Sequence, residues 1–170
     1  MNVTVFYFVF AGIVLLRLIE LLRARSNEKW MRERGAREFG RGHYPFIVLL
    51  HICFFASLLL ETGIKGYPLI TGWQLAVAVL LLVQMLRYWV IFSLGRYWNT
   101  RILVIPGSAR IRKGPYKHFR HPNYVIVVLE LLLIPLIFKA WLTLVWVNIA
   151  NSVVLYFRIK QEERALALLE

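Results

Sequence analysis

The stretch YVIVVLELLLIPLIFKAWLTLVWVNIANSVVLYF, Tyr124–Phe157, contains only two charged residues, Glu130 and Lys139. It divides into two apolar runs, Tyr124–Phe138 and Trp141–Phe157, joined by Lys139 and Ala140 alone. A link that short permits only an antiparallel helical hairpin. A bilayer core of about 30 Å needs roughly 20 apolar helical residues, or somewhat fewer with interfacial help. The hairpin therefore reads as two membrane helices, the first of them short. Toward the N-terminus, Val3–Leu22, Tyr44–Leu60 and Leu69 to about Phe92 read as three more spans, the last two joined by a Gly-containing turn at Glu61–Pro68. Val3–Leu22 lacks a basic leader and a small-residue cleavage site, so it reads as an anchor and not a signal peptide. The expected fold is all-α: a polytopic bundle of five transmembrane helices ending in a tight hairpin.

Composition agrees. The chain has 170 residues, 59% of them apolar and 15% aromatic, with 21 Lys+Arg against 9 acids, all Glu. That length predicts one domain over residues 1–170, and a mean hydropathy of +0.61 excludes a soluble doubly wound fold. A formal charge of +12 would suggest nucleic acid in a soluble protein. Here the positive charge follows the loops. Arg23–His43 carries seven Lys/Arg, Leu94–His121 carries seven more without an acid, and Arg158, Lys160 and Arg164 follow the last span. Only Lys65 and Lys139 lie in the alternate turns. This asymmetry predicts the N-terminus outside and the C-terminus in the cytoplasm. It also predicts contact with anionic lipid and no nucleic-acid partner. Cys53 is the only cysteine, no Gly-x-Gly-x-x-Gly occurs, and no His/Cys/acid cluster has metal-ligand spacing, so no metal is expected.

Leu94–Pro122 is the one long segment that does not read as a membrane helix. It holds a β-prone Ile102–Ile105 run and Gly/Pro breakers, and reads as a structured cytoplasmic loop, a natural place for chemistry on a rigid scaffold. It ends in Gly114-Pro115-Tyr116-Lys117-His118-Phe119-Arg120-His121-Pro122-Asn123-Tyr124. The hairpin brings this motif to the same membrane face as Arg158-Ile159-Lys160-Gln161-Glu162-Glu163-Arg164. Pro122 suits a first helical turn, whose open N–H groups, with Arg120 and His121, could receive a carboxylate. Glu162 or Glu163 could receive an ammonium group. The two glutamates point about 100° apart on a helix, and Glu162 shares its face with Arg158. An ordinary intrahelical ion pair between Arg158 and Glu162 is the plainer reading of those two residues alone. Glu130, a carboxylate inside a span, is a functional candidate; the alternative is neutralisation or pairing with Arg87 or Asn148. His118 reads as a solvated loop residue, and Trp73, Trp89, Trp98 and Trp141 as interfacial anchors.

Gly-Pro-Tyr, then Arg-His-Pro-x-Tyr, then a distal Arg-x-x-x-Glu-Glu resembles the isoprenylcysteine carboxyl methyltransferase family of integral-membrane enzymes, over roughly Gly95–Leu169. The stretch from Asn123 through Glu130 to Pro135 is similar to bacterial members that O-methylate lipidic polyketides such as alkylpyrones. The resemblance implies S-adenosylmethionine as cofactor, in a cytoplasmic pocket lined by Ile111, Gly114, Tyr116, His121, Tyr124 and Glu162, with a catalytic region at about residues 95–170. It implies Arg158 where cofactor and acceptor meet, with Glu162 and Arg120 beside it in catalysis. Arg158 and Glu130 would meet the head of a lipophilic acceptor arriving from the bilayer. Rival expectations are an NADPH-dependent sterol-type reductase, a phospholipid N-methyltransferase and a small non-enzymatic transporter.

Overall fold

The computed structural model describes residues 2–167, except for the side chain of His43. Five helices account for most of it: α1 (Asn2–Arg32), α2 (Tyr44–Ile64), α3 (Trp73–Leu94), α4 (Pro122–Ile137) and α5 (Trp141–Leu166). Four are long and apolar enough to cross a membrane, and α4, at 16 residues, is a shorter apolar helix. The chain is a polytopic membrane bundle. A two-stranded antiparallel ribbon, β1 (Arg37–Phe39) with β2 (Ile102–Val104), pairs Glu38 with Leu103.

The helices alternate in direction, so each end of the bundle is cross-linked. At one end, Tyr7 and Tyr67 share a hydroxyl–hydroxyl bond of 2.9 Å, and the Ile70 N–H donates to the Ile137 carbonyl. Phe6 stands edge-on to Phe138 with centroids 4.9 Å apart. The turn of the α4–α5 hairpin, residues 138–140, is tight enough to force Lys139 to φ +51°. Glu61 of α2 steadies it by accepting from the Leu142 and Thr143 amides, which opens α5 with satisfied donors. The core between the ends is built by Phe54, Leu58, Leu131, Ile134, Ile137 and Val147, among others.

The helix boundaries depart from the hydropathy reading where apolarity stops but the helix continues. Val3–Leu22 was expected to end the first span, yet α1 runs ten residues further because no Gly or Pro interrupts it before Gly35. In those extra turns Ala24, Asn27 and Met31 recur at helical spacing and are buried. α5 continues past Phe157 for the same reason and carries Arg158 and Glu162 with it. The β-prone Ile102–Ile105 run does form a strand; its partner at Arg37–Phe39 was not foreseen, because Arg-Glu-Phe carries no strand signal.

Buried Arg87 and part-buried Arg17 join two buried acids in one network across α1, α3 and α4. Arg87 clasps Glu20 through Nε and Nη2, both at 2.7 Å, and donates Nη1 to Glu130 at 3.0 Å. Arg17 reaches Glu20 at 2.8 Å and Glu130 at 2.9 Å, and the Gln84 amide adds a 2.7 Å bond to Glu130. Two guanidiniums and two carboxylates cancel, as buried charge requires.

Candidate active site

The basic end of the bundle encloses a cavity of about 150 Å³ between the 94–111 segment, the 116–124 segment and the end of α5. Gly114, just outside it, shapes the loop that bears Tyr116. Its φ is +53°, and a Cβ there would fall 2.3 Å from Ser93 Oγ, so only glycine lets the loop lie this close to α3. Pro115 then starts a single 3₁₀ turn, Gly114–Lys117, and buries its ring. The turn delivers Tyr116 against Val83, Val90 and Ile126. Pro122 opens α4, as its missing N–H allows, with His121 immediately before it.

Three side chains meet inside. The Arg158 Nε donates to the Tyr124 hydroxyl at 2.9 Å, and that hydroxyl donates in turn to Glu162 Oε2 in a short bond. Arg158 and Glu162 thus converge on one phenol instead of simply pairing along α5. The Arg158 Nη2 donates to the Thr100 carbonyl at 2.6 Å, which ties the hairpin to the loop. The His121 ring stacks on Tyr124, with 5.4 Å between centroids and 16° between planes. Its Nδ1 lies 3.7 Å from Glu162 and its Nε2 3.5 Å from Glu163. The Glu162 carboxylate raises the imidazole above its ordinary pKa, against the opposing effect of burial. Tyr116 is pushed up, first by burial and then by the charge of Glu162, and remains a neutral phenol.

Of the residues expected at the site, Ile111, Tyr116, Arg120, His121, Tyr124, Arg158 and Glu162 line the cavity together. Arg120 stands at the rim, 77% exposed, with Nη1 4.0 Å from Glu163. Two expected residues lie elsewhere. Gly114 packs on Ser93 and Trp89 of α3 outside the lining, so its contribution is to the shape of the loop. Glu130 is absent from the cavity wall because Arg17, Gln84 and Arg87 occupy both its oxygens; the pairing with Arg87 is the observed alternative.

Other lining residues escaped the sequence reading. Trp98, expected at the membrane interface, is only 3% exposed and lies against Ala24 and Ile91. Asn27 of α1 holds the adjacent backbone, donating to the Trp98 carbonyl at 2.7 Å and to the Gly95 carbonyl at 3.3 Å. Asn123 also faces the cavity. The only signal for Asn27 was an amide spaced at helical intervals from Ala24 and Met31. The buried Trp98 Nε1, Asn123 Oδ1 and both ring nitrogens of His121 have no hydrogen-bond partner among the described residues. Buried polar atoms left in this state are a place for a polar ligand. One donor, one acceptor, a carboxylate and an imidazole suit a molecule with a heteroaromatic base and a zwitterionic tail, so the donor set fits an adenosine-bearing amino acid.

Comparison with known proteins accords with this geometry. Residues 75–168 match the isoprenylcysteine carboxyl methyltransferase (ICMT) family. The chain is 45% identical over 161 residues to the uncharacterized protein YpbQ of Bacillus subtilis (strain 168), covering 95% of this chain and 96% of that one. An uncharacterized protein of Haemophilus influenzae (strain ATCC 51907 / DSM 11121 / KW20 / Rd) is 27% identical over 159 residues, covering 93% of this chain and 92% of its own. No solved structure gives a significant match.

Proposed function

Because the chain belongs to the isoprenylcysteine carboxyl methyltransferase family, membrane methyltransferases that generally use S-adenosylmethionine, we propose that it transfers a methyl group to an oxygen of a lipophilic acceptor. The observation that carries this reading is the convergence of Arg158 and Glu162 on Tyr124, beside a cavity lined by Trp98 and Asn123, whose buried Nε1 and Oδ1 lack hydrogen-bond partners among the described residues. Bound S-adenosylmethionine supplies an electrophilic methyl group on a sulfonium.

The chain's own residues do the rest. Glu162 receives the ligand's ammonium group, while Arg120, His121 and the opening of α4 receive its carboxylate. Trp98 Nε1 and Asn123 Oδ1 offer the base a donor and an acceptor. Arg158 holds the acceptor's anionic oxygen with planar donors, so an already ionised carboxylate or enol needs no general base. For a weakly acidic phenol, His121 is the proton acceptor. The loop and hairpin exclude water and align the partners, which supplies most of the rate for a displacement with a good leaving group.

The basic end faces the cytoplasm by the asymmetry of Lys and Arg, with the N-terminus outside, and the similarity to two bacterial proteins supports a bacterial plasma membrane. The acceptor's chain enters from the bilayer between helices. The test is titration with S-adenosylhomocysteine in detergent, followed by transfer of labelled methyl to long-chain pyrones, resorcinols and farnesylcysteine analogues. Glu162→Gln should weaken binding at least tenfold in folded protein. Absence of both binding and transfer would overturn the reading.

A further inference from the structure

Six residues beyond the end of α1, in the middle of β1, Glu38 has a side chain only 3% exposed beneath a roof of arginines. Arg32 Nη2 donates to its Oε2 at 2.5 Å, Arg101 Nη1 donates to its Oε1 at 2.6 Å, and Arg41 Nε stands 3.3 Å from Oε2. Charge-assisted bonds of this kind are the strong ones. Burial pushes the Glu38 carboxyl up, and the bonds from Arg32 and Arg101 together outweigh it and leave it below its ordinary value. Glu38 lies outside residues 75–168.

Its connections lead to the site. Arg101 borders the larger cavity and is stacked over Tyr44 at 4.2 Å. The preceding carbonyl, of Thr100, is the one that accepts from Arg158 at 2.6 Å. Glu38 and Arg158 also share the wall of a second, narrow cavity with Phe39, Tyr44 and Arg101. The β1–β2 ladder is three residues long on each strand, too short to hold the segment by itself. Without the Glu38 carboxylate, Arg32, Arg41 and Arg101 would crowd one another with only Glu28 to offset them.

We propose that Glu38 is a positioning residue for the transfer site, which through Arg101 fixes the Thr100 carbonyl and so aims Arg158. The effect on turnover rests on the methyltransferase reading; the effect on the loop does not. In ligand-free Glu38→Gln, amides 100–105 should exchange hydrogen at least tenfold faster, with those of α4 and α5 unchanged. In turnover, kcat should fall at least tenfold while the affinity for S-adenosylhomocysteine stays within threefold, a split that general loosening would not produce. Glu38→Gln combined with Arg101→Gln should be no worse than the weaker single variant, because both break one link. If Glu38→Gln does not fold, Arg101→Gln carries the same measurements. Unchanged exchange at 100–105 in a folded variant, kcat within threefold of the parent, or additive losses in the double variant would each overturn the proposal. A parent protein that neither binds nor transfers would instead overturn the methyltransferase reading, with the exchange measurement still deciding the role of Glu38.

Discussion

Replacing Glu130 with Gln keeps its shape and removes one charge from the buried network. Arg17 and Arg87 would then share Glu20 alone, leaving one net positive charge among α1, α3 and α4. Breaking a buried pair by removing one partner costs about 3–5 kcal/mol, a factor of roughly 150 to 5,000 in the folding equilibrium. The amide oxygen still accepts one bond, which places Glu130→Gln near the lower figure. Arg17→Gln alone errs in the opposite direction, stranding a carboxylate. Together the two substitutions restore neutrality and leave the bidentate Arg87–Glu20 clasp, with its two 2.7 Å bonds, untouched. The double variant should therefore be more stable than the sum of the singles predicts, by about 2–3 kcal/mol. Reversible unfolding in mixed micelles gives all four corners of the cycle. Folded Glu130→Gln should also retain the parent's kcat, because its oxygens hold helices and do not face the cavity. Additive destabilisation would refute the charge-balance argument. A tenfold loss of kcat in fully folded Glu130→Gln would show that the carboxylate meets the acceptor after all.

Two further outcomes can be checked on the same preparations. Gly114→Ala would put a Cβ into Ser93 Oγ and hold alanine at φ +53°, a loss of about 1–2 kcal/mol for the left-handed conformation alone. Its melting temperature should drop, and adding Ser93→Gly should recover only the steric part. His121 is raised in the folded protein, so protonation stabilises the fold fully below its ordinary pKa of 6.5, and the gain fades as pH rises through the higher folded value. The stability difference between the parent and His121→Gln should be greatest in mildly acid buffer and vanish at alkaline pH; a difference that is flat or grows with pH would contradict the Glu162 pairing.

Much of this molecule could be read from pattern. Apolar length located all five helices, and the two-residue gap after Phe138 identified the hairpin that joins His121 to Glu162. The spaced motifs named six residues, and the family resemblance a seventh, Ile111, that the structure brings to one cavity. What pattern missed was long-range polar pairing. For Glu130 the sequence reading offers Arg87 as a partner, but not Arg17 on α1, 113 residues away in sequence, or Gln84. Arg-Glu-Phe at 37–39 carries no strand propensity and forms a strand because Ile102–Val104 offers it an edge. Trp98 looked interfacial because tryptophan usually is; the small Ala24 opposite it leaves room to bury the ring.

The extension of α1 beyond its apolar part has a consequence for biosynthesis. Ribosomes deliver Asn27 before the carbonyls of Gly95 and Trp98 that it holds, and Glu38 with Arg32 and Arg41 but before Arg101, while Glu162 comes later still. The nascent chain thus waits in the bilayer with its buried asparagine and carboxylate exposed to water at the surface. The cavity can therefore close only when α5 packs beside α4, because Arg158 and Glu162 complete its wall.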